Sequence, residues 1–178
     1  FDRMIVAHRA LASLGKPTIA AIEGYALLGG FIIALGCDWR LIAEETGRVA
    51  LSEVRLGLSP TAALVRLVSA LTGRPGLVKE LVLKGAILRA KEAFDAGLAD
   101  RLLPAAGFRE QVVREAQHLA KLPPAAYAAV QGSLRRALLG DEDALWAESR
   151  LELERLLRGA EAKEGLSAAK EKRRPRWE

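Results

Sequence analysis

Two stretches of the sequence carry residues that could do chemistry, and the first is YALLGGFIIALGCD, residues 25–38. Gly29 and Gly30 stand directly before an apolar run that suits a helix inside a core. The first amides of a helix have no partner within it, and the helix dipole favours negative charge there. Because glycine has no Cβ, a ligand oxygen could approach these amides closely. The pattern therefore indicates either an oxyanion site or tight packing of the helix.

The second stretch, GRVALSEVRLG, places Glu53 at the end of a strand-like segment. If that strand ends beside the two glycines, Glu53 could face the same ligand as a general acid or base. Apolar surroundings would then raise the pKa of its carboxyl group. The alternative is a surface ion pair with Arg48 or Arg55. Both interpretations remain open at this level.

The other reactive residue types predict no metal or disulfide site. Cys37 is the only cysteine, and the two histidines, His8 and His118, have no second ligand at metal spacing. We expect Cys37 to be a small buried side chain. We also expect Asp38 to have a structural hydrogen-bonding partner and Glu23 to be exposed to solvent.

The end of the chain is basic, and the net charge of the chain is +5. Aromatic residues, which stack on nucleic-acid bases, make up only 5% of the sequence. A smaller anion such as a ligand phosphate is therefore favoured over nucleic acid as the partner of the tail. The cationic residues of the tail are Lys170, Lys172, Arg173, Arg174 and Arg176.

Nothing in the sequence indicates a membrane protein. No apolar run reaches the roughly 18 uncharged residues of a membrane span, and no basic-then-apolar leader is present. We therefore expect a soluble, cytoplasmic protein. The first residue is Phe1, and residues 1–14 read like the middle of a helix, so we expect an N-terminal part of the protein to be absent from this chain.

The elements that must position these residues alternate between strand and helix at first and are helical afterwards. A buried strand is predicted at residues 17–22 and further short strands at 39–43, 48–51, 86–89 and 98–103, with a turn at 24–30. Helices are predicted at 31–37, from Pro60 to a stop at Gly73, and at 75–84, 90–96, 108–121, 125–139 and 143–157. Residues 159–165 read as a hinge before a last short helix. Leucines that could serve a subunit interface are Leu145, Leu151, Leu153, Leu156 and Leu157.

Five stretches follow one another in the order typical of the enoyl-CoA hydratase/isomerase family, the crotonases. They are KPTIAAIEGYALLGG, ALGCD, SEVRLGLSP, AKEAFDAGLADRLLP and EKRRPRW, and the sequence resembles the family over nearly its whole length. The resemblance implies an α/β fold, a spiral of ββα units followed by helices that build trimers, commonly paired into hexamers. It assigns residues 1–104 to the C-terminal part of the ββα core and residues 105–178 to the helical region.

The resemblance also implies an active site for a coenzyme A thioester. Two backbone amides hold the thioester oxygen and stabilise an enolate; one belongs to Gly29, and the other lies upstream of Phe1. Of the two carboxylates of the family's hydratases, one matches Glu53, whereas the other position holds Ile32, which cannot hold or ionise a water. The stretch LSEVRLG most resembles a branch of the family that is classed as hydratases although it lacks the first acid, so a hydratase ranks slightly above an isomerase that uses Glu53 alone. A third possibility is that the protein is a non-catalytic relative that binds acyl-CoA.

No metal or cofactor is implied beyond the coenzyme A of the substrate. Tyr25 and Leu27 are expected along the acyl or pantetheine path, with Gly30 beside the reacting carbonyl. Leu58 and Pro60 are expected to shape the far side of the acyl pocket. Lys172 matches a lysine that reaches the coenzyme A phosphates, often in the adjacent subunit; the alternative is that it only keeps the tail solvated.

Overall fold

Two small sheets form the centre of the computed structural model, which describes residues 2–177. The first sheet is wholly parallel, in the order β1-β3-β6: β1 (Ile19–Ile22), β3 (Trp39–Ala43) and β6 (Arg101–Leu103). The second has the order β2-β4-β5: β2 (Tyr25–Leu27), β4 (Arg48–Ala50) and β5 (Leu88–Arg89), with β4 parallel to β2 and antiparallel to β5. Strands β1 and β2 form one consecutive pair, and β3 and β4 form the next. In each pair the first strand joins the first sheet and the second strand joins the second sheet, and a helical segment follows. The predicted spiral of ββα units is thus confirmed.

Helices surround the two sheets and make up most of the chain after β6. They are α1 (Asp2–Ala12), α2 (Gly29–Leu35), α3 (Ala62–Thr72), α4 (Pro75–Lys84), α5 (Ala90–Asp95), α6 (Phe108–Leu119), α7 (Pro124–Leu139), α8 (Glu142–Arg158) and α9 (Ala160–Lys170). A single turn of 3₁₀ helix, Glu53–Leu56, lies between β4 and α3 and is called the Glu53 turn below. No helix within the described part of the chain is long and apolar enough to cross a membrane.

The ends of α3 illustrate how the sequence sets the element boundaries. The hydroxyl oxygen of Thr61 accepts a hydrogen bond from the Leu64 amide at 3.3 Å and so caps the first turn. Gly73 ends the helix with φ +56°, a conformation that glycine adopts at little cost. The predicted start near Pro60 and stop at Gly73 are confirmed.

The main hydrophobic core joins α2, α3 and the strands of both sheets. Phe31, Ile32, Ile42 and Leu64 have no accessible surface. Helices α7 and α8 pack against α3, and α6 packs against β1. The C-terminal helices therefore share the core of the α/β part.

Two local predictions are wrong. Residues 25–27 form strand β2 within the predicted turn, because they pair in parallel with β4. Residues 159–165 are not a hinge, since α9 begins directly after Gly159 and Gly165 is buried inside it. Gly165 is accommodated because its missing side chain permits a close helix contact, a reason that the local sequence does not reveal. The predicted helix at residues 1–14 is present as α1, with Phe1 outside the described residues.

Candidate active site

Strands β2 and β4 bring the two candidate stretches to the same edge of one sheet. Leu27 pairs with Ala50, and the amide of Leu28 donates to the Ala50 carbonyl at 3.1 Å. Gly29 follows shortly after Leu27, and Glu53 follows shortly after Ala50. Because the strands are parallel, both residues leave the sheet at its carboxyl edge, where α/β proteins commonly place ligands.

The start of α2 leaves two backbone amides free. Leu28 has φ +51° and ψ −127°, which is unusual for a residue with a side chain. Its carbonyl accepts hydrogen bonds from the amides of both Phe31 and Ile32, each at 2.9 Å. The amides of Gly29 and Gly30 have no backbone acceptor among residues 2–177. They are therefore available to an oxygen of a ligand.

The two glycines are bare for different reasons. A Cβ on Gly29 would lie 2.5 Å from the sulfur of Met4 on α1, so Gly29 permits close packing. Among the described residues, a Cβ on Gly30 would meet nothing within 4 Å, and Gly30 is exposed. The packing interpretation thus accounts for the missing side chain of Gly29, and the amides of both glycines stay available to a ligand oxygen.

The carboxyl group of Glu53 is buried without a partner. The residue is 2% exposed, and neither of its carboxyl oxygens has a hydrogen-bond partner in the described residues. Burial raises the pKa of Glu53 to about 7. Arg55 donates to the Lys84 carbonyl at 3.0 Å, and Arg48 donates to the Gly47 carbonyl at 2.7 Å. The surface ion pair is therefore the wrong alternative.

Ile32, which the resemblance matches to the first acid of the hydratases, lies on α2 with no accessible surface. Nδ1 of His8 donates to the Ile32 carbonyl at 2.7 Å. His8 is fully buried, and burial lowers its pKa. The sequence reasoning missed this packing role of His8. Its signal was the helical spacing of Met4, His8 and Ala12 along one face of α1.

The predicted substrate-binding residues are spread over three places. Tyr25, which is 76% exposed, and Gly30 line a groove of about 520 Å³ along β1 and β2, and Leu27 is half-buried on β2. Pro60 is buried and lines a separate groove of about 420 Å³ between α3 and α8. Leu58 is half-buried, and its amide donates to the Glu53 carbonyl at 3.1 Å. Among these predicted substrate-binding residues, Leu58 is thus the one that forms a backbone hydrogen bond with Glu53.

Lys172 is the remaining predicted substrate-binding residue. It lies just after α9, is exposed and has φ +56°. The neighbouring Arg173 binds both carboxyl oxygens of Glu164, at 2.5 and 2.9 Å, and also contacts Glu171 at 2.6 Å. The bond from Arg173 lowers the pKa of Glu164 to about 2. The charge of Arg173 is thus compensated from within the chain. A cavity of about 580 Å³ beside it is lined by Ala160, Glu161, Glu164, Arg173, Arg176 and Trp177.

Asp38 has the structural partners expected of it. Its carboxyl group accepts hydrogen bonds from the amide and the hydroxyl of Thr18, both at 2.9 Å, and from the side chain of Gln131 at 2.7 Å. It therefore ties β1 to α7. Cys37 is half-buried, and burial raises the pKa of its thiol. Glu23 is exposed, as expected, and pairs with Arg109 at 3.0 Å.

Known proteins resemble this chain in sequence and in fold. Residues 4–178 match the family described as enoyl-CoA hydratase/isomerase. The chain is 33% identical over 183 residues to a carnitinyl-CoA dehydratase of Proteus mirabilis (strain HI4320), covering 94% of this chain and 65% of that protein. It is 33% identical over 165 residues to a 2,3-dehydroadipyl-CoA hydratase of Escherichia coli (strain K12), covering 93% and 64%. The chain thus spans slightly less than two thirds of the length of these relatives.

A solved structure agrees with this comparison. The crystal structure of an enoyl-CoA hydratase from Mycobacterium avium subsp. paratuberculosis K-10 matches with a TM-score of 0.90 and 28% identity. The match covers 99% of this chain and 72% of that one. The arrangement of strands and helices described above is therefore the fold of that hydratase over almost all of this chain.

Proposed function

Because this chain belongs to the enoyl-CoA hydratase/isomerase family, we propose that it acts on an acyl-CoA thioester as an enoyl-CoA hydratase. The observation that carries the proposal is the position of Glu53. Its carboxyl group is buried, and the residue follows β4 at the same edge of the sheet where the free amides of α2 follow β2. The names of the two curated relatives, a dehydratase and a hydratase of coenzyme A thioesters, support the same reaction class.

In the proposed reaction, the Gly29 amide donates to the thioester oxygen, with Gly30 beside it. This donor stabilises the negative charge that develops on the oxygen as an enolate forms. Glu53, as carboxylate, takes a proton from a water while the water oxygen bonds to the β carbon. The protonated Glu53 then gives its proton to the α carbon, which restores the carboxylate. A pKa of about 7 suits both steps near neutral pH.

The remaining substrate contacts belong to the same proposal. Tyr25 and Leu27 would lie along the acyl or pantetheine path, and Leu58 and Pro60 would shape the acyl pocket. Lys172 would reach the coenzyme A phosphates; its exposure and its place in a basic tail support this role. No resident metal or redox cofactor takes part in the proposed reaction.

A second candidate is an enoyl-CoA isomerase that uses Glu53 alone. The observation in its favour is Ile32, an apolar and fully buried residue at the position of the first acid. Moving a double bond from the β,γ to the α,β position needs one base, which removes a proton from one carbon and returns it to another. Hydration must also orient a water, a task that two acids share more easily. A non-catalytic acyl-CoA-binding role is the third candidate, with the same observation behind it.

The test is activity on two substrates. The protein should hydrate crotonyl-CoA, and Glu53→Gln should lower kcat by roughly 100-fold or more, because the amide cannot take up the proton. Glu110→Gln is the control: Glu110 is an exposed carboxylate on α6, outside the grooves described above, and its loss should leave the rate unchanged.

The outcomes separate the three candidates. Isomerisation of a 3-enoyl-CoA without hydration of crotonyl-CoA would support the isomerase. Binding of acyl-CoA with turnover of neither substrate would support the non-catalytic role. Full activity of Glu53→Gln would refute the assignment of Glu53.

A further inference from the structure

The Glu53 turn is too short to fix its own position. It has four residues, and Gly57, with φ +68°, ends it. The amide of Leu58 donates to the Glu53 carbonyl at 3.1 Å, and few other backbone bonds hold the turn together. The elements that pack against the turn therefore decide where the Glu53 carboxyl group lies.

Helix α4 holds one side of the turn through its last residues. The guanidinium of Arg55 donates to the Lys84 carbonyl at 3.0 Å. A Cβ on Gly85 would lie 3.1 Å from the Cα of Ser52, directly before Glu53. The end of α4 and the start of the Glu53 turn are thus in close contact.

Helix α9 holds the other side, and here backbone meets backbone. A Cβ on Gly165 would lie 2.5 Å from the carbonyl carbon of Leu56 and 2.7 Å from its Cα. A Cβ on Gly57 would likewise lie 2.6 Å from the carbonyl carbon of Glu161. No flexible side chain could move aside to relieve such overlaps. Any side chain at residue 165 must push α9 and the turn apart.

We propose that Gly165 is a positioning residue for Glu53: its bare backbone lets the Glu53 turn lie directly on α9, which keeps the carboxyl group out of water. The neighbouring face of α9 fits this role, since Ala162 and Ala168 have no accessible surface. The role in catalysis rests on the proposed function, because it concerns the group proposed to move the proton.

The surroundings of Glu53 give this proposal a direct readout. The charged residues beside this contact on the turn, α4 and α9 are Arg55, Lys84, Glu161 and Glu164. The first three are exposed, and Glu164 is half-buried and pairs with Arg173. Burial is the largest cause of the raised pKa of Glu53. If the turn moves away from α9, water reaches the carboxyl group, and its pKa falls from about 7 toward the ordinary 4.5.

The experiment compares Gly165→Ala with Gly132→Ala. Gly132 lies within helix α7, and a Cβ there would meet only the end of the flexible Arg136 side chain, at 3.4 Å. Both variants exchange a helical glycine for alanine, but only Gly165→Ala forces a backbone overlap. We expect Gly165→Ala to lower kcat/KM by roughly 10- to 100-fold and to move the acidic limb of its pH profile to lower pH. Gly132→Ala should change neither.

A second readout does not depend on turnover. In protein with isotope-labelled glutamate, an NMR titration follows the Glu53 carboxyl carbon, identified by its absence in Glu53→Gln. Gly165→Ala should lower this pKa by roughly one unit or more. If it does so while the unmodified protein turns over neither substrate, the proposed function fails and the structural role of Gly165 stands.

Two results would overturn the proposal. One is a folded Gly165→Ala variant with an unchanged pKa of Glu53 and an unchanged kcat/KM. If that variant does not fold, Ala162→Gly takes its place: it removes a buried methyl group from the same face of α9 without adding an overlap. We expect a smaller decrease of the Glu53 pKa in Ala162→Gly, and an unchanged pKa there is the second result.

Discussion

Glu53 shows how a single residue can carry both a cost and a use. Its carboxyl group is buried without a hydrogen-bond partner in the described residues, so its charged form is destabilised in the folded state. The same burial raises its pKa to about 7, where a carboxyl group can both accept and release a proton. A stability cost is expected wherever such a pKa is set by burial.

This cost predicts a pH-dependent effect of Glu53→Gln on stability. The unfolded carboxyl group, with its ordinary pKa of 4.5, loses its proton before the folded one, whose pKa is about 7. Stability contributed by Glu53 is therefore present below pH 4.5, falls as the pH rises through this window and is lost above about 7. The Gln variant lacks this loss. Relative to the unmodified protein, it should gain about 2–3 kcal/mol in free energy of unfolding between about pH 5 and about pH 8.

Urea unfolding of both proteins at the two pH values measures this difference. The comparison cancels the other carboxylates, such as Glu142, whose pKa is lowered by its bonds to Arg135 and Trp146 despite burial. Equal differences in free energy at both pH values would contradict a buried Glu53 with a raised pKa.

Helix α2 begins at a strained residue, and this is the main local irregularity at the scale of elements. Leu28 joins β2 to α2 with φ +51° and ψ −127°, and its carbonyl accepts the amides of Phe31 and Ile32. A residue with a side chain loses about 1–2 kcal/mol in such a conformation. The strained residue directly precedes the two free amides at the start of α2.

At Leu28, the usual order of stability, in which an alanine variant is more stable than a glycine variant, should therefore be reversed. Both Leu28→Ala and Leu28→Gly remove the same half-buried side chain, but only glycine relieves the positive φ. We expect the glycine variant to be more stable than the alanine variant by about 1 kcal/mol. Thermal or urea unfolding measures the difference. At Leu83, an exposed position inside α4, the same pair of replacements should show the ordinary order, with alanine more stable.

The four C-terminal helices connect the site to the rest of the molecule. They pack on α3, on β1 and, through α9, on the Glu53 turn. Leu153 is buried in the chain itself, and Leu145 packs on its core, so these two leucines of the predicted interface are internal. Leu151 is 72% exposed, and Val130 and Leu134 on α7 are 67% and 60% exposed. The trimer or hexamer that the resemblance implies stays a prediction, and the exposed apolar residues of these helices support it.

Charges placed on α7 should therefore weaken the proposed assembly. Val130 and Leu134 are four residues apart and share one face of the helix. The double variant Val130→Glu, Leu134→Glu should shift the protein from trimer or hexamer to monomer, because buried unpaired charges are unfavourable. Analytical ultracentrifugation measures the mass. Leu83→Glu, an equally exposed leucine on α4, is the control. An unchanged mass of the double variant would place the interface elsewhere.

The sequence by itself predicted most of the helices and strands and the two central residues of the candidate site, Gly29 and Glu53. Continuous apolar runs and short breaks predicted the strands at 39–43 and 48–51, and Pro60 and Gly73 predicted the limits of α3, because these signals act within a few residues. The order of the motifs indicated the enoyl-CoA hydratase/isomerase family. The match to that family, over residues 4–178, covers nearly the whole chain. Gly29 and Glu53 were singled out by their local pattern and by that resemblance, and their roles in catalysis remain a proposal.

The tertiary structure alone decided how these residues are held. The burial of Glu53, the packing of Met4 on Gly29 and the bond from His8 to Ile32 all join residues far apart in sequence. Gly165 is the clearest case. In the sequence it reads as part of a hinge, and in the fold it is the point where α9 touches the Glu53 turn. A glycine has no side chain to signal a contact, so only the position of the opposing backbone distinguishes a flexible link from a close helix contact.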